Sequence, residues 1–166
     1  MKRIISLFLV LVMVFSLSSV VFASSITPTV KIQQKNGSFV TMKPSDEYGT
    51  PYIDSNGRTM VPLRLFVESI MEQDIYGNSE FGITYASSGP HHQVVSIFSV
   101  PRDLHYDFII GDKKIYKSDG SVYKTMDTVP VIKNDRTYIP LRYAVECLQF
   151  TVKWNDSTKT ATCYRK

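Results

Sequence analysis

The sequence predicts an α+β fold in which one unit, antiparallel β-strands curled around a single helix, occurs twice and packs with pseudo-twofold symmetry. Three observations predict it. Nearly the same stretch occurs twice, 78 positions apart. In each copy a short run of strand-forming residues meets a proline and then switches to helical apolar spacing. Around both copies, turn-forming residues separate short runs that alternate apolar and polar.

The repeated stretches are "NGRTMVPLRLFVESI", from Asn56, and "NDRTYIPLRYAVECL", from Asn134. Aligned without gaps from Arg58 and Arg136, seven of thirteen positions are identical. The shared signature is Arg58/Arg136, Pro62/Pro140, Leu63/Leu141, Arg64/Arg142 and Glu68/Glu146, with Thr59/Thr137 and Val67/Val145. Self-similarity of this kind marks an internal duplication. "RTMV" and "RTYI" carry β-branched and aromatic residues and read as short strands. Proline suits the start of a helix, where its missing N–H is not needed. Apolar residues then follow at helical spacing: Leu63, Phe66, Val67 and Ile70, then Leu141, Ala144, Val145 and Leu148.

The flanking segments read as hairpins. Asn36-Gly37 separates "TVKIQQ" from "GSFVTM", and Asn-Gly is a strong two-residue hairpin signal. Gly111-Asp112 and Asp119-Gly120 punctuate "DFIIGDKKIYKSDGSVYK". After the helices, "SSGPHH" joins "FGITYA" to "QVVSIFSV", and Asn155-Asp156-Ser157 joins "FTVKW" to "TATCYR". An insertion from Glu72 to Glu80 delays the first of these hairpins, and Tyr85 then falls where Trp154 falls. The copies span about 28–100 and 106–166. A single copy has too little core to be more than marginal alone, so the two are expected to pack into one domain.

Residues 1–23 read as a signal peptide. Lys2 and Arg3 precede an apolar run, and Val21-Phe22-Ala23 forms a small-residue cleavage site. The mature chain, 24–166, is then expected to be extracellular. Lys2 and Arg3 carry two of the four net positive charges, so the mature balance does not call for a nucleic-acid partner. Two cysteines remain, Cys147 late in the second helix and Cys163 on the last strand. Two arrangements stay open: a disulfide, worth about 3 kcal/mol in the chain-entropy model, or two buried thiols.

"GRTMVPLR" and "DRTYIPLR", each opening a helix, with "VKWNDSTKTATCY" after the second, resemble a known family. It is the copper amine oxidase N-terminal-like domain, or stalk domain, of secreted proteins of Gram-positive bacteria. The resemblance runs from about Val30 to Tyr164. It implies a sheet curled around a helix in an extracellular or wall-associated protein, and an accessory stalk rather than catalysis. Copy one departs from the pattern in Tyr85, in the insertion around Gly77-Asn78 and in "SSGPHH".

Arg64 and Arg142 put a positive charge in a helix's first turn, against the macrodipole. The expected compensation is a pair with Glu68 or Glu146 four residues on, or a reach back to strand carbonyls by the guanidinium fork. The alternative is an anion or sugar-acid site at the helix start. His91, His92 and His105, with Asp103, raise a metal-handling reading, but no metal motif is present and no cofactor is implied. Lys114, Tyr116 and Tyr123 lie on a tyrosine- and lysine-rich hairpin that suggests a binding face. No nucleophile, base and orienter stand together in any known motif.

The sequence therefore predicts a non-enzymatic secreted module acting at the cell surface or wall. Its partner would be a wall polymer or a surface protein, and edge strands offer a route to a homodimer. A small secreted enzyme or inhibitor, with a site between Glu72–Glu80 and the Ser87–His92 loop, is the second reading, and a metal-handling protein the third.

Overall fold

The protein's computed structural model describes residues 26–71, 79–87 and 93–166. The expected signal peptide, His91, His92 and most of the insertion after the first helix lie outside these. Strands β1 (Thr29–Gln33) and β2 (Phe39–Thr41) form a hairpin over Asn36-Gly37. Short strands β3 (Tyr52–Ile53) and β4 (Thr59–Pro62) follow, and β4 runs directly into helix α1 (Leu63–Ile70). Strands β5 (Gly82–Ser87) and β6 (Gln93–Ser99) form the next hairpin. The second half contributes β7 (Leu104–Ile109), β8 (Lys114–Lys117), β9 (Val122–Thr125), β10 (Val131–Lys133) and β11 (Arg136–Pro140). Helix α2 (Leu141–Cys147), β12 (Phe150–Asn155) and β13 (Thr160–Arg165) complete it.

The strands form three sheets, ordered β12-β13-β1-β2, β10-β11-β4-β3 and β5-β6-β7-β8-β9. Each takes strands from both halves of the chain. Pairing is antiparallel as expected, with one exception: β1 lies parallel to β13. Val30 faces Ala161 and Ile32 faces Cys163, and all four side chains are buried. The first strand is drawn across to the last hairpin because only there is its alternating apolar face covered. Strand β7 sits between β6 and β8, antiparallel to both.

The middle sheet joins the two halves. Val61 faces Ile139, flanked by Met60 opposite Pro140 and Pro62 opposite Tyr138. Val61 and Ile139 occupy the same position in the two sequence copies. Each proline ends its strand and caps the following helix, with φ −61° and ψ 122° at Pro62 and φ −67° and ψ 119° at Pro140. The ring fixes φ near a value that both strand and helix accept, so the chain changes state without a break. The expected apolar faces are buried, together with Leu65, Tyr143 and Cys147. One continuous core links the helices to all three sheets. In it Phe81 packs on Phe150, ring centroids 6.0 Å apart.

Cys147 and Cys163 are free thiols, both buried. Burial pushes the Cys163 thiol up to about 12 and raises Cys147 as well, so neither is a ready nucleophile.

Glu80, from the end of the insertion, is the one buried acidic side chain among the described residues. Its carboxylate takes Arg102 at 2.5 Å, Arg165 at 2.6 Å and Lys35 at 3.2 Å. The two guanidiniums also cover the Phe81 ring, at 5.5 and 5.7 Å from its centroid. Burial alone would raise the Glu80 carboxyl. Hydrogen bonds from Arg165 and Lys35, with the charges of Arg165 and Arg102, outweigh it and hold the group below the ordinary 4.5. Replacing Glu80 with Ala leaves cations without their counter-charge and is expected to cost about 3–5 kcal/mol at neutral pH, read by urea unfolding. Because the folded-state pKa is depressed, Glu80's contribution is present above pH 4.5 and lost as pH falls through the folded value. The gap between wild type and variant therefore narrows in acid.

Candidate functional site

The arginines of the repeated signature divide into two kinds. Arg58 pairs with Asp127 at 2.5 Å. Arg136 donates from Nε to the Glu47 carbonyl at 3.0 Å, from Nη1 to the Asn134 carbonyl at 2.9 Å, and from Nη2 to the Asp46 carbonyl. Each thus straps its own strand to a loop of the other half. Asp127 follows β9, and Asp46 and Glu47 follow β2. Gly49 closes the latter loop on Ser45 with a 2.7 Å hydrogen bond and has φ 88°. A Cβ there would lie 2.6 Å from Tyr138 Oη and 2.9 Å from Arg136 Cδ.

Arg64 and Arg142 do not play the expected part. Glu146 is taken by Lys124 at 2.6 Å, and Glu68 lies beside the Tyr48 hydroxyl. Both arginines are exposed, and no ion pair or side-chain hydrogen bond within the described residues engages either. Arginine placed four residues before glutamate is the weaker order for such a pair, and Glu146 has a cation from strand β9 instead.

What the two free arginines do share is a groove each. Arg64 lines a groove of about 640 Å³ with Leu63, Tyr85, Val95 and, from the other half, Arg136. Arg142 lines one of about 180 Å³ with Leu141, Trp154, Ala161 and, from the other half, Arg58. Position by position these are the same residues of the two sequence copies. Val95 faces Tyr85 across one hairpin as Ala161 faces Trp154 across the other. Tyr85 is 55% exposed and Trp154 42%. Each groove therefore presents an unpaired guanidinium, an open aromatic ring and a carboxylate at the rim, Glu47 in one and Asp127 in the other.

The other sequence candidates disperse. Tyr116 donates its hydroxyl to Asp112 at 2.9 Å. Tyr123 packs on the core-side ring of Tyr106, centroids 4.6 Å apart. A register shift between Ile115 and Tyr116 separates them, so Lys114, Tyr116 and Tyr123 do not make one face. His105 pairs with Asp107 at 3.0 Å and stacks on Phe98, while Asp103 sits in the preceding turn. Among the described residues no three His, Cys, Asp or Glu side chains are grouped to hold a metal. Sequence reasoning missed Glu80 with Arg102 and Arg165. It also missed that Arg58 and Arg136 are the straps, although their recurrence beside Thr59 and Thr137 was a usable signal.

Residues 107–166 match the copper amine oxidase N-terminal domain. That stretch carries β8 to β13, Arg142, Trp154 and the whole second copy of the signature. The domain is a non-catalytic part of those oxidases, which agrees with a module that does no chemistry of its own. No curated protein and no solved structure matches the chain.

The division of arginines has a direct test in chemical unfolding. Arg136→Ala removes three hydrogen bonds, two of which cross between the halves, and is expected to destabilise by about 1–3 kcal/mol, whereas Arg64→Ala stays within about 0.5 kcal/mol of wild type. Gly49→Ala, forced into a left-handed backbone and a tight contact, is expected to cost about 1–3 kcal/mol by the same measurement.

Proposed function

We propose that this protein is a non-catalytic, secreted interaction module that holds a wall polymer or surface protein at the cell surface through its two grooves, which are lined from matching positions of the two sequence copies. The observation that carries this reading is the recurrence of an unpaired arginine beside an open aromatic ring. Arginines that merely held the fold together would be bonded within it, as Arg58 and Arg136 are. Tyrosine, tryptophan and arginine at a wet concave surface suit recognition. The signal-peptide pattern read in residues 1–23 supports export, and the match at 107–166 to a non-catalytic domain supports binding over chemistry.

We further read the module as one domain made by duplication, its halves intertwined about a pseudo-twofold axis near the Val61–Ile139 pair. The register of β4 against β11, the contact of Phe81 with Phe150 and the reciprocal straps of Arg58 and Arg136 support it.

The test is co-sedimentation of the purified protein with isolated Gram-positive cell walls at low and high salt. Pelleting that persists in high salt, and weakens when Arg64 and Arg142 are both changed to Gln, is the expected result. Pelleting lost in high salt would assign it to the small net positive charge, and no pelleting at either salt would remove the wall from the reading; both overturn it.

A further inference from the structure

We propose that each groove binds one sugar acid, a uronate residue of a surface glycan. This rests on the surface-binding reading and names its ligand class. The guanidinium of Arg64 or Arg142 is exposed and makes no ion pair or side-chain hydrogen bond among the described residues, so it is available for the two-pronged hydrogen bonding that a carboxylate accepts. The neighbouring ring, Tyr85 or Trp154, offers an apolar face of the size of a pyranose ring's C–H face.

The rims discriminate among anions. Glu47 and Asp135 line the larger groove and Asp127 the smaller. An acidic peptide or a polyphosphate brings the anion without a pyranose C–H face to lie on Tyr85 or Trp154 and without a row of hydroxyls to donate to these rims. A uronate brings a single carboxylate and several hydroxyls, and a hydroxyl donates to a carboxylate rim. A neutral sugar would stack and donate in the same way but would leave the guanidinium unanswered. The larger groove, at about 640 Å³, falls in the usual range for a small-ligand site of about 300–1,000 Å³. The smaller, at about 180 Å³, has room for a single residue.

Trp154 is the only tryptophan in the chain, so emission excited selectively from tryptophan reports the smaller groove alone. The experiment titrates the full protein with trigalacturonate, following Trp154 emission and, by calorimetry, stoichiometry. The neutral trisaccharide of the same length and triglutamate serve as comparison ligands. Saturable change at Trp154, with two sites by calorimetry, is expected for trigalacturonate. Arg142→Gln should weaken the fluorescent site by about tenfold or more, the loss of one charge-assisted contact. Arg64→Gln should leave the fluorescence titration intact and reduce the stoichiometry from two to one. Equal affinity for the neutral trisaccharide, tighter binding of triglutamate, or an unchanged Arg142→Gln titration would overturn the assignment. Silence toward trigalacturonate by a protein that still pellets with walls would overturn the ligand class and leave the surface-binding reading standing; silence in both assays ends both.

Discussion

The pairing of β4 with β11 is the contact on which the rest of the molecule depends. Both strands end in proline and both feed a helix, so the ladder fixes where two helices start and which way their apolar faces turn. Val61 and Ile139 at its centre are fully buried. Two buried strands meeting in one sheet let short helices of eight and seven residues share a core that neither could sustain alone. The cores of the outer sheets attach to the same cluster, which is why strands remote in sequence, β1 and β13, end side by side.

Charge is distributed with the same economy. Arg58, just before β4, and Arg136, at the start of β11, cross to the opposite half, where one finds a carboxylate and the other two carbonyls, Arg136 adding a third bond to the carbonyl of its own neighbour Asn134. Glu80 neutralises the cations of a third region, around the paired phenylalanines. With those bonds made, Arg64 and Arg142 are the described arginines that the fold does not bond, and each lines a groove with an exposed aromatic ring.

How legible this was depended on the range of each interaction. Local physics was plain in the sequence. Asn36-Gly37 and the Asn155 turn gave their hairpins, and the spacing of Leu63, Phe66, Val67 and Ile70 gave a buried helix face. The recurrence of Tyr85 and Trp154 was visible too, because both follow a phenylalanine at the same distance. Long-range physics was not. Nothing near Glu80 announces that Lys35 and Arg165 will reach it from opposite ends of the chain. The signature shows two arginines per copy without showing which one crosses to the other half, since that depends on side-chain direction in a helix start. The expected tyrosine face failed for a similar reason, a single register shift in β8 and β9.

The parallel pairing of β1 with β13 has a mechanical consequence. The chain enters β1 at one end of this pair and leaves β13 at the other. A pull between those two points runs along the strands and loads their hydrogen bonds together, in shear, instead of opening them one after another like a zipper. An antiparallel pair joined in the same way would present its bonds singly. A chain pulled from those two points would thus meet the load with β1 and β13 acting as a clamp, and the central ladder would be shielded until that clamp gave way.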